Sequence, residues 1–500
     1  MIELVTGTGR HRTGLAPSAP TRVTGAGGEG TDPTAMLDEY QDRLDFLYGR
    51  LNYEWVGMPR IPTELRLGRM RRLLRRLGDP HLGLRVIHIA GTKGKGSTAA
   101  MMAAALTASG LRTGLYCSPH LHRLEERFCI DGRPASPREL VELVDEVRVV
   151  VEKLELDDPH LLHHRGPTFF EITTAMGLLH FARRQVQAVV LEVGMGGRLD
   201  STNVVHPVLS IITSIAFDHV RQLGGTLGAI ATEKAGILKR SRPAVSGVRD
   251  AEPRRVIARV AAQRRCRLRE LGIDFDFETL LPRQPLARPT PCGVHAQTWR
   301  TDWSTLELPL LGPHQAHNAV VALAGLDLLA EVEPSLVVDR EAVISGFSNL
   351  RWPARVEVLG ESPWVVIDGA HNVASAQALT ATLLTCFPAS PRTLVFGTTR
   401  DKDLPGQLRA LLPLFDILIA TRYVENPRSV LPEDIALAIA AIDGRTARIA
   451  QDPAAALDLA RRVTGPLALV CVTGSLFLAA ETRAIMLGQP SVRPATGVVI

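Results

Sequence analysis

The chain has 500 residues, of which 45% are hydrophobic. Because a single hydrophobic core stops growing at about 250–300 residues, we expect two domains. The formal net charge of +5 is spread along the chain without a long basic run, which argues against a nucleic-acid partner. Six separated cysteines without a CxxC pair argue against a disulfide framework and a zinc site and favour the cytoplasm. The amino terminus shows no long apolar run behind a basic start, and no run approaches roughly 18 apolar residues, so we expect neither a secretory leader nor a membrane span.

The amino-terminal segment differs in composition from the rest of the chain. Residues 7–34 are rich in Gly, Pro, Thr and Ser and poor in large apolar side chains. Such a segment buries too little apolar surface to offset the entropy of ordering it. We therefore expect residues 1–35 to form a disordered tail.

A first series of alternating apolar and helical patterns follows the tail. The apolar runs RVIHIAG, AVVLEVG and VLSIITSIA each end in polar or glycine-rich turns, and TAAMMAAALTASG has a helical pattern. This alternation predicts a parallel sheet with helices on its faces. We assign it to a large P-loop ATPase-type domain over residues 36–350, in which residues 274–306 form a surface excursion with short strands.

A second series begins after Trp352 and Pro353. Its apolar segments are PWVVIDGAHN, RTLVFGTTRDKD, FDILIAT and LALVCVTGSL, separated by helical patterns. They predict a smaller, Rossmann-like α/β domain over residues 351–490, joined to the first by a link at roughly 330–352. A cleft at such a junction is a common ligand site.

The segment RVIHIAGTKGKGSTAAMMAAAL combines an apolar strand, a glycine-rich turn and a helix that we expect to open at Ser97 and Thr98. Backbone amides and a helix amino terminus present positive partial charge to phosphates, and Lys95 adds a full charge. The pattern departs from GxxxxGK[ST] because Gly96 separates Lys95 from Ser97. A flexible turn with incidental glycines is the alternative, but the flanking strand and helix favour a nucleotide-binding loop.

Nine segments occur in a fixed order along most of residues 40–485. They are GTKGKGS (91–97), YCSPHL (116–121), TFFEITTA (168–175), EVGMGGRLDSTN (192–203), DHVRQLGGTLGAIATEKAGILK (218–239), HQAHNA (314–319), WPAR (352–355), DGAHN (368–372) and VTGSLFL (472–478). In this order they resemble the folylpolyglutamate synthase/dihydrofolate synthase family of the Mur-ligase-like superfamily. The resemblance implies an ADP-forming ligase in which ATP converts a carboxylate into an acyl phosphate, which the amine of L-glutamate attacks.

The resemblance also implies a magnesium site, with two ions expected. Its ligands would be Ser118 of SPHL, Glu192 of EVGMGG and His219 of the DH pair. Oxygen ligands suit Mg²⁺, and Glu192 follows the apolar run AVVL, at the sheet edge where α/β ligand sites lie. The alternatives are a solvated strand end for Glu192 and a helix-capping or core histidine for His219.

Lys234 of ATEKAGI completes the implied catalytic set with Lys95 and His219. An ordinary lysine has a pKa of about 10.4, so it is cationic near neutral pH and cannot ligate a metal. In the family that the chain resembles, the matching lysine is carbamylated and becomes an anionic ligand beside magnesium. The alternative is a lysine that forms a salt bridge with the adjacent Glu233.

The implied ATP site combines both domains. The resemblance assigns to it Thr92, Lys93, Gly94, Lys95, Gly96 and Ser97 in the loop, Asn318 near the adenine, and Arg355 and Asp368 in the second domain. Catalysis would then require the domains to close around the nucleotide and exclude water from the acyl phosphate. Arg355 as a linker salt bridge and Asp368 as part of a structural turn are the alternatives.

The implied pterin and aminobenzoate site comprises three short stretches. They are Glu64, Leu65, Arg66 and Leu67, then Thr168, Phe169, Phe170 and Glu171, and finally Leu199. An aromatic pair beside a carboxylate suits a flat heterocycle, because Phe stacks and Glu accepts hydrogen bonds. We treat Phe169 and Phe170 as consecutive strand residues, of which only one can face a given side.

Three residues depart from the family pattern. Lys93 stands where Asn is usual, Glu64 where Asp is frequent, and Val373 where Pro is usual. The first adds a cation beside the phosphates. The other two remove none of the implied ligands.

Two other classes of protein remain as alternatives. A Mur ligase acting on a nucleotide-sugar peptide would not be expected to carry the SPHL and TFFE segments. A non-catalytic nucleotide-binding homologue would lack a metal ligand or the loop lysine, yet Lys95, Ser118, Glu192, His219 and Lys234 are all present. We therefore expect a monomeric, cytoplasmic, bacterial-type bifunctional enzyme that uses small molecules: ATP, L-glutamate and dihydropteroate or folates.

Overall fold

A computed structural model of the chain describes residues 33–56, 67–157, 166–284, 286–388 and 391–489. Its first helix begins at Pro33, so residues 33–35 of the predicted tail are helical, and the rest of that prediction lies outside the described residues. No helix within these five ranges is both long enough and apolar enough to cross a membrane.

The first domain is built on an eight-stranded sheet. Its strands are β1 (Val86–Ala90), β2 (Thr113–Tyr116), β3 (Phe128–Ile130), β4 (Arg133–Pro134), β5 (Ala188–Glu192), β6 (Leu209–Ile212), β7 (Ala244–Ser246) and β8 (Leu268–Glu270). Their spatial order is β4-β3-β2-β5-β1-β6-β7-β8. The six strands from β2 to β8 in that order are parallel, as predicted, while β3 and β4 form an antiparallel edge.

Helices cover both faces of this sheet. They are α1 (Pro33–Tyr48), α2 (Tyr53–Val56), α3 (Leu67–Arg76), α4 (Lys95–Ala108), α5 (Pro137–Asp157), α6 (Phe169–Arg183), α7 (Val220–Leu223), α8 (Leu227–Ala235), α9 (Ala251–Gln263), α10 (Pro313–Val332) and α11 (Arg340–Ser348). Side chains alternate along a strand. Ile87 and Ile89 of β1 therefore pack with α4, α10 and α11, whereas Val86 packs with α1, α3, α5 and α6.

The predicted excursion at 274–306 contains a three-stranded antiparallel sheet. Its strands are β9 (Asp276–Leu280), β10 (Gly293–Gln297) and β11 (Asp302–Glu307). The sheet packs on α10, where Asp327 accepts hydrogen bonds from the Thr298 hydroxyl at 2.5 Å and the Trp303 indole at 3.2 Å. The excursion is thus part of the core around α10.

The second domain has a six-stranded sheet in the order β12-β13-β17-β14-β15-β16. Its strands are β12 (Glu357–Glu361), β13 (Trp364–Ile367), β14 (Arg392–Phe396), β15 (Ile417–Ala420), β16 (Arg448–Ile449) and β17 (Leu469–Thr473). Its helices are α12 (Val373–Cys386), α13 (Leu404–Leu411), α14 (Pro432–Asp443), α15 (Pro453–Val463) and α16 (Leu476–Met486). All strands except β12 are parallel, which agrees with the predicted Rossmann-like series.

The two domains meet at more than one place. Most of the predicted link at 330–352 is helical, and residues 349–356 join α11 to β12 without helix or strand. At the carboxyl end of α12, the Sγ atom of Cys386 lies 3.7 Å from that of Cys292, and the backbone N–H of Thr290 donates to the Cys386 carbonyl at 2.9 Å. We call this the thiol contact. It fixes the end of α12 against the excursion of the first domain.

Candidate active site

A cleft of about 1260 Å³ lies between the two domains. It opens beyond the carboxyl ends of the central parallel strands, the usual ligand-binding edge of α/β sheets. The first domain contributes Ser118, Phe170 and His219 to its wall, and the second contributes Arg355 and Lys402. The expected cleft at the domain junction is therefore present.

The nucleotide loop turns into α4 at Gly94. The helix begins at Lys95, two residues before the predicted start at Ser97, because Gly94 adopts a φ of +81° that glycine reaches without strain. A Cβ on Gly94 would lie 2.1 Å from the Asn318 Oδ1 atom, so Asn318 packs directly on the loop. Both observations fit a loop shaped for close approach of a phosphate.

The loop is also fixed to the segment after β6. Thr92 donates its backbone N–H to the Ser214 carbonyl at 2.8 Å, and the Lys93 N–H donates to Ser214 Oγ at 2.9 Å. The Thr92 hydroxyl in turn accepts the Ala216 N–H at 3.0 Å. These contacts fix the loop backbone, which would lower the entropic cost of nucleotide binding.

The remaining predicted ATP residues occupy different environments. A Cβ on Gly96 would lie 3.5 Å from Glu192 Oε2, and Ser97 is buried in the first turn of α4. Arg355 lines the cleft. Asp368 instead accepts the backbone N–H groups of Val356 at 2.9 Å and Ala370 at 2.8 Å, the geometry of a structural turn.

Of the three residues predicted to hold a metal, Ser118 and His219 line the cleft, and Glu192 contacts Ser118. Ser118 Oγ is buried and has no hydrogen-bond partner within the described part of the chain, while the Ser118 N–H donates to Glu192 Oε2 at 3.3 Å. Burial raises the pKa of Glu192, although the positive charge of Lys95 opposes this. A buried hydroxyl without a partner beside a buried carboxylate fits a hard cation.

His219 is held in a left-handed conformation, with a φ of +47°, at the start of α7. Its side chain makes no capping hydrogen bond to that helix. Burial and the charge of Lys402 lower its pKa to about 4, so the imidazole is neutral near pH 7 and can act as a ligand. In the described ranges no three His, Cys, Asp or Glu side chains form a metal cluster, so a cation here would also need the Ser118 hydroxyl or substrate oxygens.

Lys234 lies in α8 and is 5% exposed. Its ammonium donates to the Gly91 carbonyl at 2.9 Å, whereas Glu233 pairs with Arg198 at 2.8 Å, so the predicted alternative of a Lys234–Glu233 salt bridge is wrong. Burial, reinforced by Lys95, lowers the pKa of Lys234 to about 7. A large fraction of neutral amine is therefore present at physiological pH, as carbamate formation requires.

This pKa predicts a pH-dependent stability difference for Lys234→Met, which keeps most of the buried volume. Between about pH 7 and 10.5 the unfolded chain binds more protons at this lysine than the folded chain, so wild-type stability rises with pH. We expect the ligand-free variant to melt at a higher temperature than wild type at pH 7, and the difference to shrink towards pH 10.5. Calorimetry at several pH values measures it, and a difference independent of pH would contradict the shift.

The predicted pterin stretch TFFE is helical, so its treatment as a strand was wrong. Thr168 and Glu171 form a reciprocal capping box at the start of α6, a T-x-x-E signal readable from the sequence. Phe169 is buried and stacks on Tyr48 at 5.4 Å, whereas Phe170 packs over Gly194 and lines the cleft. Only Phe170 of the pair is available to a ligand.

Of the other residues predicted to bind the pterin, some line the cleft and some lie outside the described residues. Leu67 and Leu199 line the cleft, and Glu64, Leu65 and Arg66 lie outside the described residues. Glu171 accepts Arg69 Nε at 2.7 Å, so its carboxylate is already engaged.

The two phenylalanines form a matched pair for mutation. We expect Phe170→Ala to raise the KM for the acceptor about tenfold, because a stacking surface is lost, with little change in melting temperature. Phe169→Ala should instead destabilise the fold by about 3 kcal/mol through a core cavity. Steady-state kinetics and chemical denaturation separate the two effects; an equal effect of both variants on KM would contradict the assignment.

Sequence reasoning missed Asp218, which lies directly before His219. Its carboxylate accepts hydrogen bonds from Lys93 Nζ at 3.2 Å and Asn372 Nδ2 at 2.8 Å, and it lies 3.5 Å from Lys402 Nζ. Burial disfavours the charged form, but the two lysines hold the pKa of Asp218 well below its usual range. The only sequence signal was its position after β6, in the DH pair.

Comparison with known proteins agrees with this arrangement. Residues 138–326 match the Mur ligase middle domain, and residues 354–476 match the Mur ligase glutamate ligase domain. The dihydrofolate synthase/folylpolyglutamate synthase of Bacillus subtilis is 32% identical over 454 residues, which are 90% of this chain and 99% of that protein. The two domains are thus those of a Mur-type ligase.

Solved structures extend the likeness to three dimensions. Mycobacterium tuberculosis folylpolyglutamate synthase complexed with ADP superposes with a TM-score of 0.81 at 32% identity, covering 91% of this chain and 100% of that one. E. coli FolC in complex with DHPP and ADP gives 0.74 at 27% identity, with 90% and 98% covered. The chain belongs to the folylpolyglutamate synthase/dihydrofolate synthase family.

Proposed function

We propose that the chain is an ATP-dependent, ADP-forming ligase that attaches L-glutamate to dihydropteroate, to a tetrahydrofolate, or to both. The observation that carries this proposal is that Ser118, Asp218, Arg355 and Lys402 line one interdomain cleft. Glu192 contacts the first of these residues, and Lys93 of the nucleotide loop contacts the second. Family membership and the ligands named in the two related structures support it.

The proposed reaction has two chemical steps. A carboxylate oxygen of the acceptor attacks the γ-phosphorus of ATP, the bond to the bridging oxygen breaks, and ADP leaves. The glutamate amine then attacks the acyl phosphate and expels phosphate as the amide forms and the amine loses its proton. Lys93, Lys95 and Lys402 supply positive charge beside the transferring group, where preorganised charge contributes most.

A magnesium site is part of the proposal. Ser118, Glu192 and His219 would hold one Mg²⁺, and Lys234, once carbamylated, would serve a second ion. Bound magnesium would neutralise charge on the phosphoryl oxygens. The buried Ser118 hydroxyl and the neutral state of His219 support this assignment.

We also propose that Arg355 senses the nucleotide across the cleft. It lies in the second domain and lines the cleft, and its positive charge helps to lower the pKa of Glu192 in the first domain, so its electrostatic effect reaches across the cleft. Arg355→Ala should raise the apparent KM for ATP about tenfold, the effect of one lost charged contact. Arg351→Ala, on an exposed side chain in the same connection, is the matched control. An unchanged ATP dependence would remove Arg355 from the nucleotide site.

Cytoplasmic location and a monomeric state complete the proposal. They follow from the cysteine pattern and from the absence of an evident spare apolar helix in the sequence. Sedimentation at working concentration tests the second.

The direct test is ADP release with ATP, Mg²⁺ and L-glutamate, measured in parallel with 7,8-dihydropteroate, a tetrahydrofolate monoglutamate and no acceptor. ADP formation with both acceptors would establish a bifunctional ligase, and ADP with one would define the step it serves. Absence of acceptor-dependent ADP would favour a Mur ligase for another acceptor or a non-catalytic homologue.

A further inference from the structure

One carboxylate joins three segments that come from two domains. The Asp218 side chain is 12% exposed and follows β6 of the first domain. It binds Lys93 of the nucleotide loop, Asn372 at the start of α12 and Lys402 after β14. The last two belong to the second domain, so Asp218 connects that domain to the loop.

The partners of Asp218 are themselves fixed. Asn372 caps α12, where its Oδ1 accepts the Ser375 N–H at 3.0 Å, so its amide nitrogen is aimed at Asp218 by the helix. A displacement of α12 would therefore break the 2.8 Å contact. Hydrogen bonds that involve a charged group are stronger than neutral ones, which makes this contact a favourable one to keep.

The charges around Asp218 do not cancel. Two lysines share the one carboxylate of Asp218, and the charge of Lys95 acts on the neighbouring His219, so this local cluster carries more positive than negative charge. An arriving phosphate is still attracted while the domains are held together. Asp218 therefore joins the two domains without neutralising both of its lysine partners.

We propose that Asp218 is a positioning residue, a latch that holds the second domain against the nucleotide loop in the catalytic arrangement. This role rests on the proposed ligase function, because it concerns the alignment of its two half-sites. Asp218 acts through Lys402 and Asn372 and touches no reacting atom. Alignment matters because misplacement by about 1 Å can cost roughly 10²-fold in rate.

A double-mutant cycle tests the latch. Asp218→Asn, Lys402→Met and the double variant are compared for kcat, for the dissociation constant of ATP, and for the radius of gyration with a non-hydrolysable ATP analogue. We expect each single change to lower kcat about 10- to 100-fold and to enlarge the complex, and we expect ATP affinity to be unchanged or tighter in Asp218→Asn. The double variant should be no slower than the slower single variant.

Two controls remove the same charges elsewhere. Lys153→Met on α5 and Asp458→Asn on α15 alter exposed side chains and should leave all three readouts at wild-type values. Additive losses in the double variant, or ATP affinity and melting temperature that fall together with kcat, would overturn the latch in favour of a merely structural role. If wild type released no acceptor-dependent ADP, the proposed function would fail, while the scattering comparison would still decide whether Asp218 holds the domains.

Discussion

Lys234→Ala should abolish turnover while sparing ATP binding. The side chain donates to the Gly91 carbonyl at the start of the nucleotide loop. In the proposed mechanism its carbamate would serve a second magnesium ion, so its loss would remove that ion and leave the loop's own nucleotide contacts in place. We expect kcat to fall at least about 100-fold, the scale seen when one preorganised polar group is lost from an active site. The dissociation constant of ATP, measured by calorimetry, should change by less than about threefold.

Lys239→Met is the matched control for this change. Lys239 is another lysine with a lowered pKa, about 8, but it donates to the Asn203 carbonyl away from the loop. It should retain near-normal turnover. Turnover by Lys234→Ala close to that of wild type would remove this lysine, and its modification, from the mechanism.

The modification itself has a separate test. A neutral amine reacts with CO₂ to give a carbamate and a proton, and the lowered pKa of Lys234 supplies that amine near pH 7. ¹³C-labelled bicarbonate should therefore produce one carbamate resonance in wild type that is missing in Lys234→Ala. Added bicarbonate should not rescue the variant, because no amine remains to carry the group.

Glu192→Gln should produce the second large loss. The substitution preserves shape but removes the buried negative charge that contacts the Ser118 backbone N–H, so a cation would be held less tightly. We expect kcat to fall at least about 100-fold at low Mg²⁺, with partial recovery as Mg²⁺ is raised. A Mg²⁺ titration of ADP release measures both effects.

Glu361→Gln provides the comparison for Glu192→Gln. Glu361 also stands at the end of a strand, but it is exposed, so the same chemical change should leave the Mg²⁺ dependence unaltered. A Glu192→Gln enzyme with the wild-type Mg²⁺ requirement would show that this carboxylate orders the SPHL segment and binds no cation.

The alternation of strands and helices and the position of Glu192 at the end of a strand were predictable because they depend on local patterns. The run AVVLE is buried at every position of β5, and a residue at its carboxyl end must face the ligand edge of a parallel sheet. The helix that begins in the TFFE segment also depends on a local pattern, the T-x-x-E capping box, whereas the adjacent aromatic pair is typical of a strand. Propensity and capping chemistry would have corrected the strand prediction.

The Asp218 cluster could not be predicted in this way. Its partners Lys93, Asn372 and Lys402 lie 125, 154 and 184 residues away along the chain. A charged residue after a strand has many possible partners at such separations, and periodicity carries no information about which one it meets. Only the relative placement of the two domains brings these groups together.

The thiol contact gives α12 the mechanical properties of a lever. The helix is anchored at Cys386, and its other end, 14 residues away, carries the cap Asn372 into the cleft. At 1.5 Å per residue the arm is about 21 Å long, so a tilt of about 3° at the anchored end moves the cap by about 1 Å. Substitutions around Cys292, although remote from every reacting atom, would therefore displace Asn372 and misalign the second domain relative to the nucleotide loop.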